Sequence, residues 1–310
     1  MIIFNSLEKT NINEKTAVAL GNFDGIHMGH RKLIERAVDY SKEKGMKSAV
    51  FTFSNHPKNV LAHKCVVKNI IYEDEKTEIL ERLGVDYLMN FSFDSKMMKQ
   101  SPEEFVKDLL VGRFNAGAAI CGFNFTYGHK AGGNAETLML EGKKYGFEVA
   151  VVPAVTLVLN GTEETVSSTL IREKISRGSI DEAAVLLGRS YTIRGIVIRG
   201  NQIGRTIGFP TCNISVDETM VTPSNGVYIT NYHINGEKYP SVTNVGNKPT
   251  IGDYSKSIET HILNFTGNIY DMPVTIEFLK MIREERKFAG IDELRSQLNE
   301  DRRIAFMYHG

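Results

Sequence analysis

Four groups of residues in this 310-residue chain have the types and spacing for chemistry on phosphates. The first is Gly21-Asn-Phe-Asp-Gly-Ile-His-Met-Gly-His30. Its three glycines permit close backbone approach, and a helix beginning beyond them would aim unpaired N–H groups at an anion. His27 and His30, one turn apart, can donate hydrogen bonds to phosphate oxygens that gain charge in a transition state. The second is Ser167-Ser-Thr-Leu-Ile-Arg172, where Ser168 and Thr169 suit a helix cap or a phosphate and Arg172 carries a fixed positive charge. The third is Gly204-Arg-Thr-Ile-Gly-Phe-Pro-Thr-Cys-Asn213, in which Thr211 and Asn213 offer oxygens to Mg2+ or phosphate after a sharp Gly-Phe-Pro turn. The fourth is Glu259-Thr-His-Ile-Leu263, whose carboxylate can act as general base toward a hydroxyl. Each has a plain structural reading beside it: a glycine turn with surface histidines, an N-cap, an ordinary loop and a solvent-facing strand carboxylate.

Local patterning says which elements must hold these groups. Thr16–Leu20 reads as a buried strand and Arg31–Glu43 as a helix, so the first motif is a strand-to-helix turn. Strands over 48–53, 86–91, 118–122 and 148–152 alternate with helices over 75–83, 101–110 and 134–145. That alternation predicts a parallel sheet wrapped by helices, with ligands outside the carboxyl ends of its strands. Ser101-Pro-Glu-Glu104 reads as a capping box, and Ser179 with Glu182 as another. Cys121-Gly-Phe-Asn-Phe-Thr-Tyr-Gly128 also leaves a strand on the ligand side, where Phe123 and Phe125 line a ring pocket or belong to the core. Helices follow over 168–176 and 179–187.

The texture then changes. Short runs over 192–198, 226–233, 239–245, 258–265 and 274–281, separated by turns such as Asn235-Gly236, predict a compact antiparallel β domain or barrel. A final amphipathic helix over 291–307 carries Leu294, Leu298, Ile304 and Ala305 on one side. Two domains, 1–187 and 188–310, are expected.

Composition sets the outer limits. Lys and Arg number 37 and so do Asp and Glu, giving zero formal charge. From Gly188 onward 14 basic residues face 13 acidic ones, so neither half is a polyanion binder by bulk charge. No nucleic-acid or membrane partner is expected. Three scattered cysteines lack CxxC or CxxH spacing, which argues against a disulfide framework and a structural zinc and for a reducing compartment. The stretch 1–15 has no apolar signal core, and 149–159 is too short to span a bilayer, so a cytoplasmic location is expected. Neither G-x-x-x-x-G-K-[ST] nor G-x-G-x-x-G occurs.

H-x-G-H after a first strand resembles the nucleotidyltransferase signature, and the ordered set goes further. GNFDGIHMGH, GFNFTYG, SSTLIR, LLGRSY, GRTIGFPTCN, NGVY, VTNVGNKPT and ETHILNF together resemble the bacterial bifunctional riboflavin kinase/FAD synthetase family over nearly the whole chain. The resemblance implies a Rossmann-like α/β nucleotidyltransferase domain followed by an antiparallel β-barrel kinase domain ending in a helix. It implies that the second domain phosphorylates riboflavin to FMN with ATP, and that the first adenylylates FMN to FAD and releases pyrophosphate, both with Mg2+. By motif match His27, His30 and Arg172 take catalytic positions in adenylyl transfer, and Gly21, Phe23, Asp24, Gly29, Ser168 and Thr169 hold ATP. Asn124, Phe125 and His56 fall on the flavin side. Gly204, Arg205, Thr211 and Asn213 match the kinase phosphate motif, Thr211 and Asn213 its Mg2+ position, and Glu259 its catalytic base. Asn124 stands where the family often has Asp, Cys212 where Ala is common, and Ser54-Asn-His-Pro57 matches only in part. Two rival readings remain open at this level: an adenylyltransferase for another phosphate-bearing substrate, and a flavin carrier without chemistry.

Overall fold

The computed structural model describes residues 1–200, 204, 208–247 and 256–310. They form two compact units, Met1–Ser168 and Thr169–Gly310.

In the first unit the strands are β1 (Ile2–Phe4), β2 (Thr16–Leu20), β3 (Lys47–Phe53), β4 (Tyr87–Phe91), β5 (Ala116–Gly122), the two-residue pair β6 (Thr126–Tyr127) and β7 (Gly133–Asn134), and β8 (Glu148–Val152). Helices α1 (Met28–Lys44), α2 (Pro57–Ala62), α3 (Glu73–Arg82), α4 (Ser95–Lys99), α5 (Pro102–Glu104) and α6 (Ala135–Tyr145) lie between them. The main sheet runs β1-β4-β3-β2-β5-β8, and every neighbouring pair is parallel. The chain therefore moves outward from β2 through β3 and β4, then returns to place β5 on the other side of β2. That reversal opens a crevice at the carboxyl ends of β2 and β5, the preferred ligand position in such sheets.

Strand β2 reads as one unbroken apolar run because both its faces are covered. Val18 and Leu20 join a core with Phe51, Phe105 and Phe114, whereas Ala17 and Ala19 pack with Leu33, Ile34 and Val50 on the other side. The expected capping box at Ser101 is present in both directions, with Ser101 Oγ accepting from Glu104 N–H and the Glu104 carboxylate accepting from Ser101 N–H. Beyond it the helix widens into a π-helical stretch, Phe105–Val111, which turns Phe105, Val106, Leu109 and Leu110 into the core. A hairpin of β9 (Thr156–Leu159) and β10 (Thr162–Thr165) ends the unit.

The second unit starts with α7 (Ser168–Arg177) and α8 (Ile180–Leu187). The expected capping box at Ser179 does not form, since Ser179 makes no side-chain cap bond and the Glu182 carboxylate is taken by Lys174. Strands β11 (Tyr191–Ile198), β12 (Cys212–Ser215), β13 (Gly226–Ile234), β14 (Glu237–Asn247), β15 (Lys256–Ile262) and β16 (Pro273–Glu284) close into an antiparallel barrel in the order β11-β12-β15-β14-β13-β16. Closure leaves the sheet without a free edge. Helix α9 (Ile291–His309) packs on β13 and β14, with Ala305 and Ile304 against Val227, Ile229 and Val242.

Part of the barrel interior is polar. Thr230 bonds Ser241 and Thr243 at 2.7 and 2.8 Å, and Thr243 bonds Thr260 at 2.9 Å, so these buried hydroxyls satisfy one another. Helix α9 is locked by charge as well as packing. Arg283 of β16 donates from Nε and Nη2 to Asp301 at 3.0 and 2.8 Å, and Gln297 adds a bond of 2.8 Å to the same carboxylate. The Asp301 side chain is 1% exposed. Breaking a buried pair by removing one partner strands the other charge, so Asp301→Ala should cost about 3 kcal/mol. Thermal unfolding of the variant should begin roughly 10 °C lower; a shift under about 2 °C would mean that the pair is compensated by solvent.

Candidate functional site

The first motif leaves β2 as a turn under backbone strain. Phe23, Gly25 and Ile26 have φ of 46°, 87° and 36°. The left-handed region is costly for a bulky residue and more so for a β-branched one, of the order of 1–3 kcal/mol each. Burial holds the conformation, because Phe23 and Ile26 are both fully enclosed in the core above β2. Hydrogen bonds fix the rest. Thr52 donates to Asn22 O at 2.9 Å, Ile70 N–H donates to Asp24 Oδ1 at 2.8 Å, and Ser168 Oγ donates to Asp24 O at 2.8 Å. The last bond joins the entrance of the second motif to the first across 144 residues.

The two histidines are organised by the start of α1. His27 is its N-cap, and its Nδ1 accepts the backbone N–H of His30 at 3.2 Å. An accepting Nδ1 puts the ring proton of neutral His27 on Nε2, which makes that nitrogen a donor. The two imidazoles stack at 3.6 Å with 17° between their planes, and Phe23 meets His30 edge-on at 5.2 Å. Gly29 lets the His27 ring lie close: a Cβ there would stand 3.2 Å from its Cε1, and the ring would have to give by a few tenths of an ångström. Gly21 makes room in the same way for the Phe23 ring, 3.0 Å from its would-be Cβ. Both glycines thus serve the histidine turn itself.

Strand register brings the remaining N-terminal candidates to the same end of the sheet. Leu20 of β2 lies opposite Cys121 of β5, so the turns that follow leave side by side. Asn124 is exposed there, and Phe125 is half-buried against the core and stacked on Tyr127 at 5.7 Å. The two open readings of the aromatics thereby separate: Phe125 packs inward, whereas Phe123 is 54% exposed beside Asn124. His56 caps α2 beyond β3, accepting from Lys58 N–H at 3.2 Å, and lines a small polar recess with Asn22, Asp24, Asn55 and Lys76. Thr169 and Arg172 stand on the first turns of α7, within the second unit.

In the second unit a cleft of about 270 Å³ runs between one wall of the barrel and α9. Gly204, Thr211 and Glu259 line it, and Asn213 sits opposite Glu259 in the β12–β15 register. Asn244 of β14 flanks Glu259 on the other side. Three polar side chains thus stand abreast, while the alternate residues Cys212 and Thr260 point into the barrel, the period-two consequence of the strand. Ser257 donates to Glu259 Oε1 at 3.2 Å. Gly204 accepts the N–H of Phe209 at 2.8 Å. Arg205 lies outside the described residues.

The cleft also contains Phe209 and His261, quoted within the motifs but given no role there, and Arg283, Phe288 and Arg302 outside them. Burial pushes the His261 imidazole below its ordinary pKa, with Arg302 adding to the effect and the bond to Pro210 opposing it. A signal for His261 exists in the sequence, since it follows Glu259 by two residues and a strand puts such residues on one face. Leu294 and Leu298 of the apolar face of α9 also line the cleft, whereas Ile304 and Ala305 pack on the barrel core. Among the described residues, no group of three or more His, Cys, Asp or Glu side chains is placed to hold a metal ion, and no helix is long and apolar enough to cross a membrane.

Residues 9–170 match the FAD synthetase family and residues 187–308 the riboflavin kinase family. A bifunctional riboflavin kinase/FMN adenylyltransferase of Bacillus subtilis is 38% identical, over 95% of this chain and 92% of that protein. One of Listeria monocytogenes is likewise 38% identical over the same shares. The crystal structure of a macrolide-efflux protein from Streptococcus pneumoniae is similar with a TM-score of 0.89 at 32% identity, covering 98% of both chains. A parallel sheet with the H-x-G-H turn at its reversal point, a closed barrel carrying Glu259 in its cleft and these matches in the same order lead to one assignment: the chain belongs to the bifunctional riboflavin kinase/FMN adenylyltransferase family.

Proposed function

We propose that the chain makes FAD from riboflavin in two ATP-dependent steps, with residues 188–310 phosphorylating riboflavin and residues 1–187 adenylylating the product. The chain is an enzyme of flavin cofactor biosynthesis with ATP, riboflavin and FMN as substrates. The observation that carries the division of labour is the contrast between the two sites. A carboxylate lines the barrel cleft, whereas histidines organise the turn after β2.

That contrast fits the two nucleophiles. The ribityl hydroxyl of riboflavin must lose a proton as it attacks the γ-phosphorus of ATP, and Glu259 is the base that takes it while ADP leaves. The FMN phosphate is already an anion when it attacks the α-phosphorus, so adenylyl transfer needs no base. It needs donors for the charge that builds up as pyrophosphate departs. His27 Nε2–H and the His30 ring fill that role, with Gly21, Phe23, Asp24 and Gly29 shaping the turn. Ser168 and Thr169 offer hydroxyls to phosphate, and Arg172 offers a fixed charge. Asn124, Phe125 and His56 are assigned to the flavin side, and the exposed ring of Phe123 is a further surface for it.

In the kinase, Thr211 and Asn213 would hold Mg2+ and Gly204 and Arg205 the phosphates. An oxygen-only pair suits this cation, which commonly takes one or two protein ligands and completes its shell with phosphates and water. Bound there, Mg2+ would offset phosphate charge. A cytoplasmic enzyme suits the three free cysteines, of which only Cys65 is exposed.

Incubating the purified chain with riboflavin, ATP and Mg2+ and separating the flavins should yield FMN first and FAD after it. Adenylylation of a different phosphate-bearing substrate in preference to FMN would overturn the reading, as would release of neither ADP nor pyrophosphate.

A further inference from the structure

We infer that His261 is a positioning residue for the kinase step, acting through the backbone of the Gly-Phe-Pro-Thr turn to place the hydroxyl of Thr211. The inference rests on the reading of the barrel cleft as the kinase site.

His261 Nδ1 lies 2.9 Å from the carbonyl oxygen of Pro210, the residue before Thr211. A carbonyl only accepts, so the ring donates through Nδ1–H. Pro210 has no N–H of its own to anchor the turn, and its carbonyl is the group adjoining the Thr211 amide. The bond therefore fixes the peptide plane from which the Thr211 side chain projects. The same ring is held by contact on its other side. It packs on Phe209 at 5.4 Å, and Phe209 in turn lies under the guanidinium of Arg302 of α9 at 5.3 Å. Phe209 is buried, and its N–H donates to Gly204 O, so the turn is pinned at 204–209 and again at 210–261.

Position on the strand gives the arrangement its use. Glu259 and His261 share one face of β15, and both line the cleft with Thr211. The strand that carries the base thus also carries the clamp on the phosphate turn. Sliding or tilting one would displace the other, so β15 sets the distance between the base and the phosphate-binding hydroxyl.

The test compares His261→Asn, His261→Gln and His261→Ala in the full chain. The amide nitrogen of Asn reaches the position of Nδ1, whereas that of Gln reaches the position of Nε2. His261→Ala and His261→Gln should each lower kcat/KM for Mg-ATP in FMN formation by about tenfold, the effect of one lost positioning bond. Riboflavin binding, read by quenching of flavin fluorescence without ATP, should shift by less than about twofold, and His261→Asn should recover most of the rate. In a Thr211→Ala background the further loss from His261→Ala should nearly vanish, because one residue acts through the other. Equal rates for the Asn and Gln variants would reduce His261 to a packing ring and overturn the proposal. So would a loss of riboflavin affinity as large as the loss in kcat/KM, which would make His261 a flavin contact. Glu259→Gln assayed alongside separates the two failures: FMN formation persisting in it removes the kinase reading, whereas its loss with unaltered His261 variants removes only the clamp.

Discussion

Glu259→Gln should abolish FMN formation, by 10³-fold or more on the order of what a lost general base costs, and leave FMN-to-FAD conversion within about twofold of the parent. The amide is near-isosteric and its oxygen still accepts the Ser257 hydroxyl, so the local bonding survives. What disappears is the basic carboxylate that, on the proposed reading, takes the ribityl proton. Glu259 is in the middle of β15, bonded into a closed barrel on both sides, and its replacement leaves the ladder to β12 and β14 intact. Separate assays on one preparation, riboflavin with Mg-ATP and FMN with Mg-ATP, give the result directly. Loss of both activities in a variant of unchanged melting temperature would show that the two reactions are not independent. Retention of the first would remove Glu259 from the chemistry.

His30→Ala should act in the opposite sense, cutting adenylylation by roughly 10²-fold or more and sparing the kinase. The bond that caps α1 runs from the backbone N–H of His30 to His27, and alanine retains it. The substitution therefore removes the ring without unwinding the turn. It deletes the stacking partner of His27 at 3.6 Å and the edge contact with Phe23, so some loss of order at His27 is part of the expected effect. Single-turnover conversion of FMN to FAD isolates the chemical step from product release. An unchanged rate there would take the His30 side chain out of the mechanism and leave its backbone as its only contribution.

Much of the chemistry was legible from residue type and spacing. The H-x-G-H turn between a strand and a helix, the hydroxyl pair before Arg172, the P-T-x-N loop and the Glu259 strand are each contiguous, and short-range geometry follows from them. The alternation of strands and helices up to residue 152, and the change to short β runs after 190, likewise set the two architectures. Some local expectations failed where a competing partner was closer. Ser179 forms no capping box: the Glu182 carboxylate pairs with Lys174, and the Glu182 N–H donates to Asp181 Oδ1 at 3.1 Å. Strand β12 was missed because four residues, Cys212–Ser215, directly after a turn carry no readable period.

Other features belong to the tertiary structure alone. His27 is an N-cap as well as a candidate donor, and its ring lies close against Gly29. The position of β5 beside β2 and the bond from Ser168 to Asp24 depend on parts of the chain roughly 100 or more residues apart in sequence. Asn213 opposite Glu259 and His261 on the carbonyl of Pro210, 51 residues away, likewise join separate segments of the chain. Type and spacing encode what a segment can do, because neighbouring residues share a backbone whose period is known. Which segments meet is decided by strand order, register and burial, since only the closed sheet and barrel offset the entropy of bringing distant residues together. The sequence by itself thus determined two phosphate chemistries and their order along the chain. The fold decided which turns adjoin, which aromatic ring faces solvent and which side chain bonds the carbonyl before Thr211.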